Sequence, residues 1–143
     1  MGSWKLETAA RWTASAGLAL VLATGAARAC PTAEQGFQRL ATAEAEVAYR
    51  WDPAELKVGR FFVAEIVTCR APGGQPVQDV LIDATMPAHG HGMNYRPSST
   101  RTAAGHYRFK GMMLHMPGTW RITIDLRQPG KRTRLTQDVK LTQ

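Results

Sequence analysis

The chain has 143 residues, 44% hydrophobic and 20% charged, which fits one ordinary globular domain with a modest core and no room for a second. Its formal charge is +7, but the basic residues are scattered, and no internal repeat or low-complexity tract appears. These features exclude a repeat solenoid and a disordered polyelectrolyte.

The first 29 residues read as an export signal. Lys5 and Arg11 make a positive start, "TASAGLALVLATGA" is an apolar run too short to span a bilayer as a stable helix, and "ARA" at 27–29 has the small-residue spacing of a signal-peptidase site. The expected domain limits are therefore 1–29 for the signal, 30–43 for a lead segment and 44–143 for a folded domain. Two alternatives compete with cleavage: an uncleaved anchor, and a lipid-modified Cys30. Ala27 and Arg28 are poor residues before a lipidated cysteine. Removing Lys5, Arg11 and Arg28 leaves 15 basic residues, and removing Glu7 leaves 10 acidic ones, so the exported chain carries +5. Behind an export signal, the local "KRTR" at 131–134 reads as a solvated hairpin tip or a contact for an anionic surface, not as a nucleic-acid site. No hydrophobic span follows the signal.

Export makes the two cysteines interpretable. In an oxidising compartment a lone pair usually forms a disulfide, so Cys30 is expected to join Cys69, worth ~3 kcal/mol on the chain-entropy account. The competing reading, in which both are copper ligands, lacks a C-x-x-C spacing.

Along the exported chain, "PTAEQGFQRLATA" has Phe37 and Leu40 three apart among good helix formers and predicts a short helix. "AEVAYRW" alternates, with Val47, Tyr49 and Trp51 on one face, and Asp52-Pro53 stops it. "RFFVAEIVTC" is β-branched and aromatic. "APGGQPVQ" is a loop, "DVLIDATM" a strand, and "GHYRFKGMML" and "GTWRITIDLRQ" two more strands around a Pro117-Gly118 turn. After the "PGKR" turn, "TRLTQDVKLT" is the last strand, with Leu135, Val139 and Leu141 as anchors. About seven short strands with almost no helix predict an all-β, antiparallel immunoglobulin-like β-sandwich. Its expected core is Trp51, Phe62, Ile66, Leu81, Tyr107, Phe109, Trp120, Ile122 and Ile124.

The chemistry concentrates in two stretches. "MPAHGHGMNYRP" at 86–97 places His89, His91 and Met93 two apart, so in extended backbone they share one edge, with Gly90 and Gly92 letting the chain wrap closely. Two imidazoles and a thioether without a carboxylate suit copper, and the soft sulfur favours Cu(I). Zinc is the main competitor; it usually takes thiolate, imidazole or carboxylate, and here the cysteines are expected to be consumed by the disulfide. "GMMLHMPG" at 111–118 adds Met112, Met113, His115 and Met116, with Met113 and His115 on one strand face and Met112, Leu114 and Met116 on the other. Which face turns inward stays open. The expected metal site is His89 and His91 as primary ligands, with Met93, His115 and Met116 supplying the rest and Met113 as an alternative sulfur. Met86, Met112 and Met113 read first as core filler, and His106 beside Gly105 as an exposed surface histidine at a hairpin tip. The metal-free reading of the loop is a glycine-rich turn whose imidazoles bond backbone groups.

"DATMPAHGHGM" followed by "GHYRFKGMMLHMPGTWRITI" resembles the YtkA-like and FixH-like group of exported bacterial domains, over about residues 44–141. The matching positions are Met86, Pro87, His89, Gly90, His91, Gly92 and Met93, then Gly105, Tyr107, Pro117, Gly118 and Trp120. The resemblance implies an immunoglobulin-like sandwich outside the cytoplasmic membrane. Through looser similarity to CopC-like copper carriers and to proteins serving cytochrome oxidase assembly, it also implies copper handling. Unlike CopC-like carriers, the mature amino terminus shows no histidine.

Two functions are expected to compete: a periplasmic copper carrier or buffer that serves an envelope or membrane oxidase-assembly partner, and a metal-free interaction module of the envelope. No Ser/His/Asp order, paired carboxylate or phosphate-cradling loop argues for an enzyme.

Overall fold

The computed structural model describes residue 1, residues 30–69 and residues 76–142. Residues 2–29 of the predicted signal and residues 71–75 of the "APGGQPVQ" loop lie outside the described residues. Among the described residues, nine strands follow in chain order: β1 (Gln38–Ala41), β2 (Glu46–Asp52), β3 (Phe61–Cys69), β4 (Asp79–Met86), β5 (His91–Gly92), β6 (Ser98–Ala103), β7 (His106–Met113), β8 (Gly118–Gln128) and β9 (Lys131–Leu141). They form two antiparallel sheets, ordered β1-β2-β3-β7-β6 and β5-β4-β8-β9. The expected all-β sandwich is what the chain adopts. Among the described residues no helix is long and apolar enough to cross a membrane.

Alternation drives the arrangement. In β8, Trp120, Ile122, Ile124 and Leu126 point inward and are essentially without exposure. Each aliphatic side chain buried this fully contributes roughly 1.5–3 kcal/mol. Eight of the nine expected core residues are buried. Leu81 is the exception, at 37% exposure. In β4 the alternation sets Val80, Ile82, Ala84 and Met86 inward, so Leu81 shares the outer face with Asp79, Asp83 and Thr85. Turning Leu81 in would have carried both aspartates into the core.

The expected helix at 31–43 is also replaced. Ala33–Gln35 make one 3-10 turn that ends at Gly36, held at φ 77°, and Gln38–Ala41 then pair with the free edge of β2. A second local gain opposes the helix: the Arg50 guanidinium lies 4.7 Å from the centre of the Phe37 ring. Cys30 and Cys69 are joined as expected, with Cα atoms 5.3 Å apart, which ties this leading segment to the end of β3.

One irregularity positions the site. Between β3 and β7 the register shifts at Phe62/Val63, because Phe62 opposes Met112 while Val63 opposes Lys110. Gly111 is the extra residue and sits at φ 87°, the backbone that a glycine bulge requires. The bulge switches the inward parity of β7 from Tyr107 and Phe109 to Met112 and Leu114. Without it, Met113 and His115 would have faced the core.

Candidate metal centre

The two histidine-bearing stretches meet at one end of the sandwich. After Met86, a turn over Pro87–Gly90 is closed by the backbone N–H groups of His89 and Gly90, both donating to the Met86 carbonyl at 3.0 Å. The chain then doubles back as β5, setting His91 opposite Met86 and Gly92 opposite Thr85. The Met93 N–H donates to the Ala84 carbonyl at 3.0 Å and extends the hold. Cross-strand partners share a face, so His91 follows the buried Met86 side chain toward the interior. His115 arrives from the other sheet, on the crossing from β7 to β8.

The rings form a compact group. The centroids of His91 and His115 are 5.4 Å apart with planes tilted by only 29°, and His89 lies 5.7 Å from His91. The indole of Trp120 forms the floor, edge-on to His115 at 5.2 Å and to His91 at 6.1 Å. Its own N–H donates to the Met116 carbonyl at 2.9 Å, which fixes the turn before β8. Met93 and Met116 are half-buried and pack against the core.

The polar accounting is unusual. Nε2 of His91 and Nδ1 of His115 are buried and have no hydrogen-bond partner. Buried polar atoms are nearly always paired, and leaving one unpaired costs roughly 1–3 kcal/mol. Two imidazole nitrogens on stacked rings are thus left without an answering group, as is Nε of Arg108 elsewhere among the described residues. Imidazoles with no carboxylate among them are a donor set that accepts a transition-metal ion such as copper.

Of the sequence-predicted ligands, the structure brings the rings of His89, His91 and His115 together, although their ligand atoms do not all lie within 4.8 Å of one another. His91 and His115 are half-buried and His89 is exposed. Met112 and Met86 are buried core residues, as filler should be. Met86 has a second duty. Its methyl occupies the space above Gly118, where a Cβ would collide with it, so Gly118 lets the strand of the first motif pack against the hairpin of the second. His106 sits at the β6–β7 hairpin as expected, paired with Ala103 and opposite Val67, but it is half-buried and not exposed. Sequence inspection missed Trp120 as the floor, although its place two residues after Pro117-Gly118 put it on the inward face of β8. Among the described residues, one set of three imidazole, thiol or carboxylate ligand atoms lies within 4.8 Å of one another: Cys30, Glu46 and Cys69. Its two sulfurs are bonded to each other.

The YtkA-like family matches residues 40–125, a span holding both motifs. No curated protein matches the sequence. Among solved structures, a copper-bound variant of FetP from a uropathogenic Escherichia coli strain is similar at a TM-score of 0.49 and 9% identity, over 73% of this chain and 94% of that one. A DUF4426 family protein from Pseudomonas aeruginosa is similar at a TM-score of 0.47 and 14% identity, over 76% of this chain and 98% of that one. Because the matched span takes in well over half of the residues, the chain belongs to the YtkA-like family.

Proposed function

We propose that this is an exported, periplasmic copper-binding protein that carries or buffers Cu(I), with no catalytic role. His91 and His115 would provide the nitrogen ligands and Met93 or Met116 the sulfur, with His89 at the solvent edge. The supporting observation is the pair of buried, unpartnered nitrogens on rings 5.4 Å apart. Carriage of Cu(I) needs only soft donors in a sheltered rim, and delivery to an oxidase-assembly partner would proceed by docking of a freely diffusing carrier.

The test is competition for Cu(I) against a coloured chelator, in ascorbate, so that the Cys30–Cys69 bridge stays closed. Opening it would free two thiols beside Glu46 and add a second soft site. One equivalent should bind, and the paired His89→Ala and His91→Ala changes should abolish it without unfolding the sandwich. Retained binding in that variant would refute the site.

One observation favours the metal-free interaction module. Phe61 and Tyr95 are exposed and in edge-to-face contact at 5.3 Å, with Tyr95 two residues beyond Met93. A thermal scan separates the readings. A ligand specific for the native state adds ~2.7 kcal/mol at a hundredfold excess over its Kd, whereas a module without a metal shows no shift with copper.

A further inference from the structure

The three imidazoles are not equivalent, and the difference bears on how an ion would reach the site. His91 and His115 are half-buried, stacked, and carry the two orphaned nitrogens. His89 is exposed on the 87–90 turn. That turn is closed by the backbone bonds of His89 and Gly90 to Met86, so the His89 side chain is not needed to form it. The ring nonetheless stays beside the site, 5.7 Å from His91 by centroid.

Building on the copper reading of this site, we infer that His89 is the capture ligand: it takes Cu(I) from an incoming donor at the surface and passes it inward to His91 and His115. Two nitrogens bound at about 2 Å to a shared ion lie up to about 4 Å apart; the three histidines do not each offer an atom within 4.8 Å of the others, so binding requires the rings to turn toward a common point. Exchange then proceeds one bond at a time. A bond from a neutral His89 nitrogen to the ion forms as a donor-to-ion bond breaks, and bonds from Nε2 of His91 and Nδ1 of His115 replace the bond to His89. No electron moves, and the electron pair of each new bond comes from an imidazole nitrogen. An exposed side chain loses rotamer freedom on binding and adds little net affinity, whereas the held pair has already lost it. His89 therefore governs rate, and His91 with His115 governs affinity.

The experiment mixes purified protein with Cu(I) held as its bis-bathocuproine-disulfonate complex in a stopped-flow instrument and follows the loss of chelator colour. The same probe at equilibrium gives the affinity. His89→Ala should slow transfer by about tenfold or more while weakening affinity by less than about threefold, a kinetic signature distinct from loss of a resident ligand. His89→Met, which restores a soft donor at the same place, should recover most of the rate. His91→Ala should lose affinity by more than the ~10–100-fold that changes outside the first coordination layer cost. If His89→Ala weakens affinity as much as His91→Ala does, or leaves the transfer rate unchanged, the inference is overturned while the copper reading stands. If the unaltered protein takes no Cu(I) at equilibrium, both are overturned.

Discussion

Two polar clusters of this sandwich are built by opposite rules. On the outer face of the β8–β9 sheet, the Asp125 carboxylate is 5% exposed, yet it is fully answered. Arg134 donates to both of its oxygens, at 2.8 and 3.0 Å, and Arg132 donates to one of them. Burial alone would raise the Asp125 pKa, but the hydrogen bonds and charges of Arg134 and Arg132 outweigh it and hold the group below the usual carboxylate range. At the rim, Nε2 of His91 and Nδ1 of His115 are also shut off from water, and they go unanswered. A satisfied buried charge belongs to the fold. Buried nitrogens without partners, such as these two and Nε of Arg108, leave a cost that the fold itself does not offset.

The largest effect should come from replacing His91 and His115 together by leucine. Cu(I) retention should fall by more than ~100-fold, while the unfolding free energy holds or rises, because an apolar group of similar shape in place of an orphaned polar one is neutral or stabilising. Competition titration and urea unfolding read the two halves; a variant that unfolds would break the contrast. Asp125→Ala should do the reverse, lowering stability by about 2 kcal/mol through loss of charge-assisted hydrogen bonds and leaving the Cu(I) affinity of the unaltered protein in place.

Acid provides a third, smaller test. Because the folded pKa of Asp125 is depressed, its contribution is fully present above the unfolded value of about 4 and disappears as pH falls through the lower folded value. Urea midpoints between neutral pH and pH 3 should therefore drop less steeply in Asp125→Asn than in the unaltered chain. The smallest effect is expected at the exposed pair of Arg121 and Asp138, whose 2.8 Å contact lies in solvent, with each side chain about half exposed. Asp138→Asn should leave the urea midpoint at neutral pH within experimental error, and a clear drop would mean that surface pairing matters more here than the contrast allows.

Much of the strand layout was legible because apolar alternation in β8 and β3 has a single period to read. β5 and β6 were missed. β5 is two residues long, and β6, Ser98–Ala103, is exposed throughout, so neither carries a burial pattern. The 31–43 segment was misread because its spacing permits a helix, and the free edge of β2 that recruits Gln38–Ala41 is not a local property of those residues. Leu81 was misplaced because hydrophobicity alone was weighed for a residue whose neighbours two positions away are aspartates.

The chain's own pattern was enough for the Cys30–Cys69 pairing and the two-sheet sandwich, because compartment chemistry and period-two alternation act over short stretches. It also named the histidines whose rings the fold brings together. Only the tertiary structure decided which imidazoles become neighbours. The Gly111 bulge turns Met112 and Leu114 inward and frees His115 from the core, and β5 folds His91 back over Met86, so that residues 24 apart in sequence stack across the two sheets. Register and bulges are settled by the sum of packing over both sheets, which no window of sequence contains.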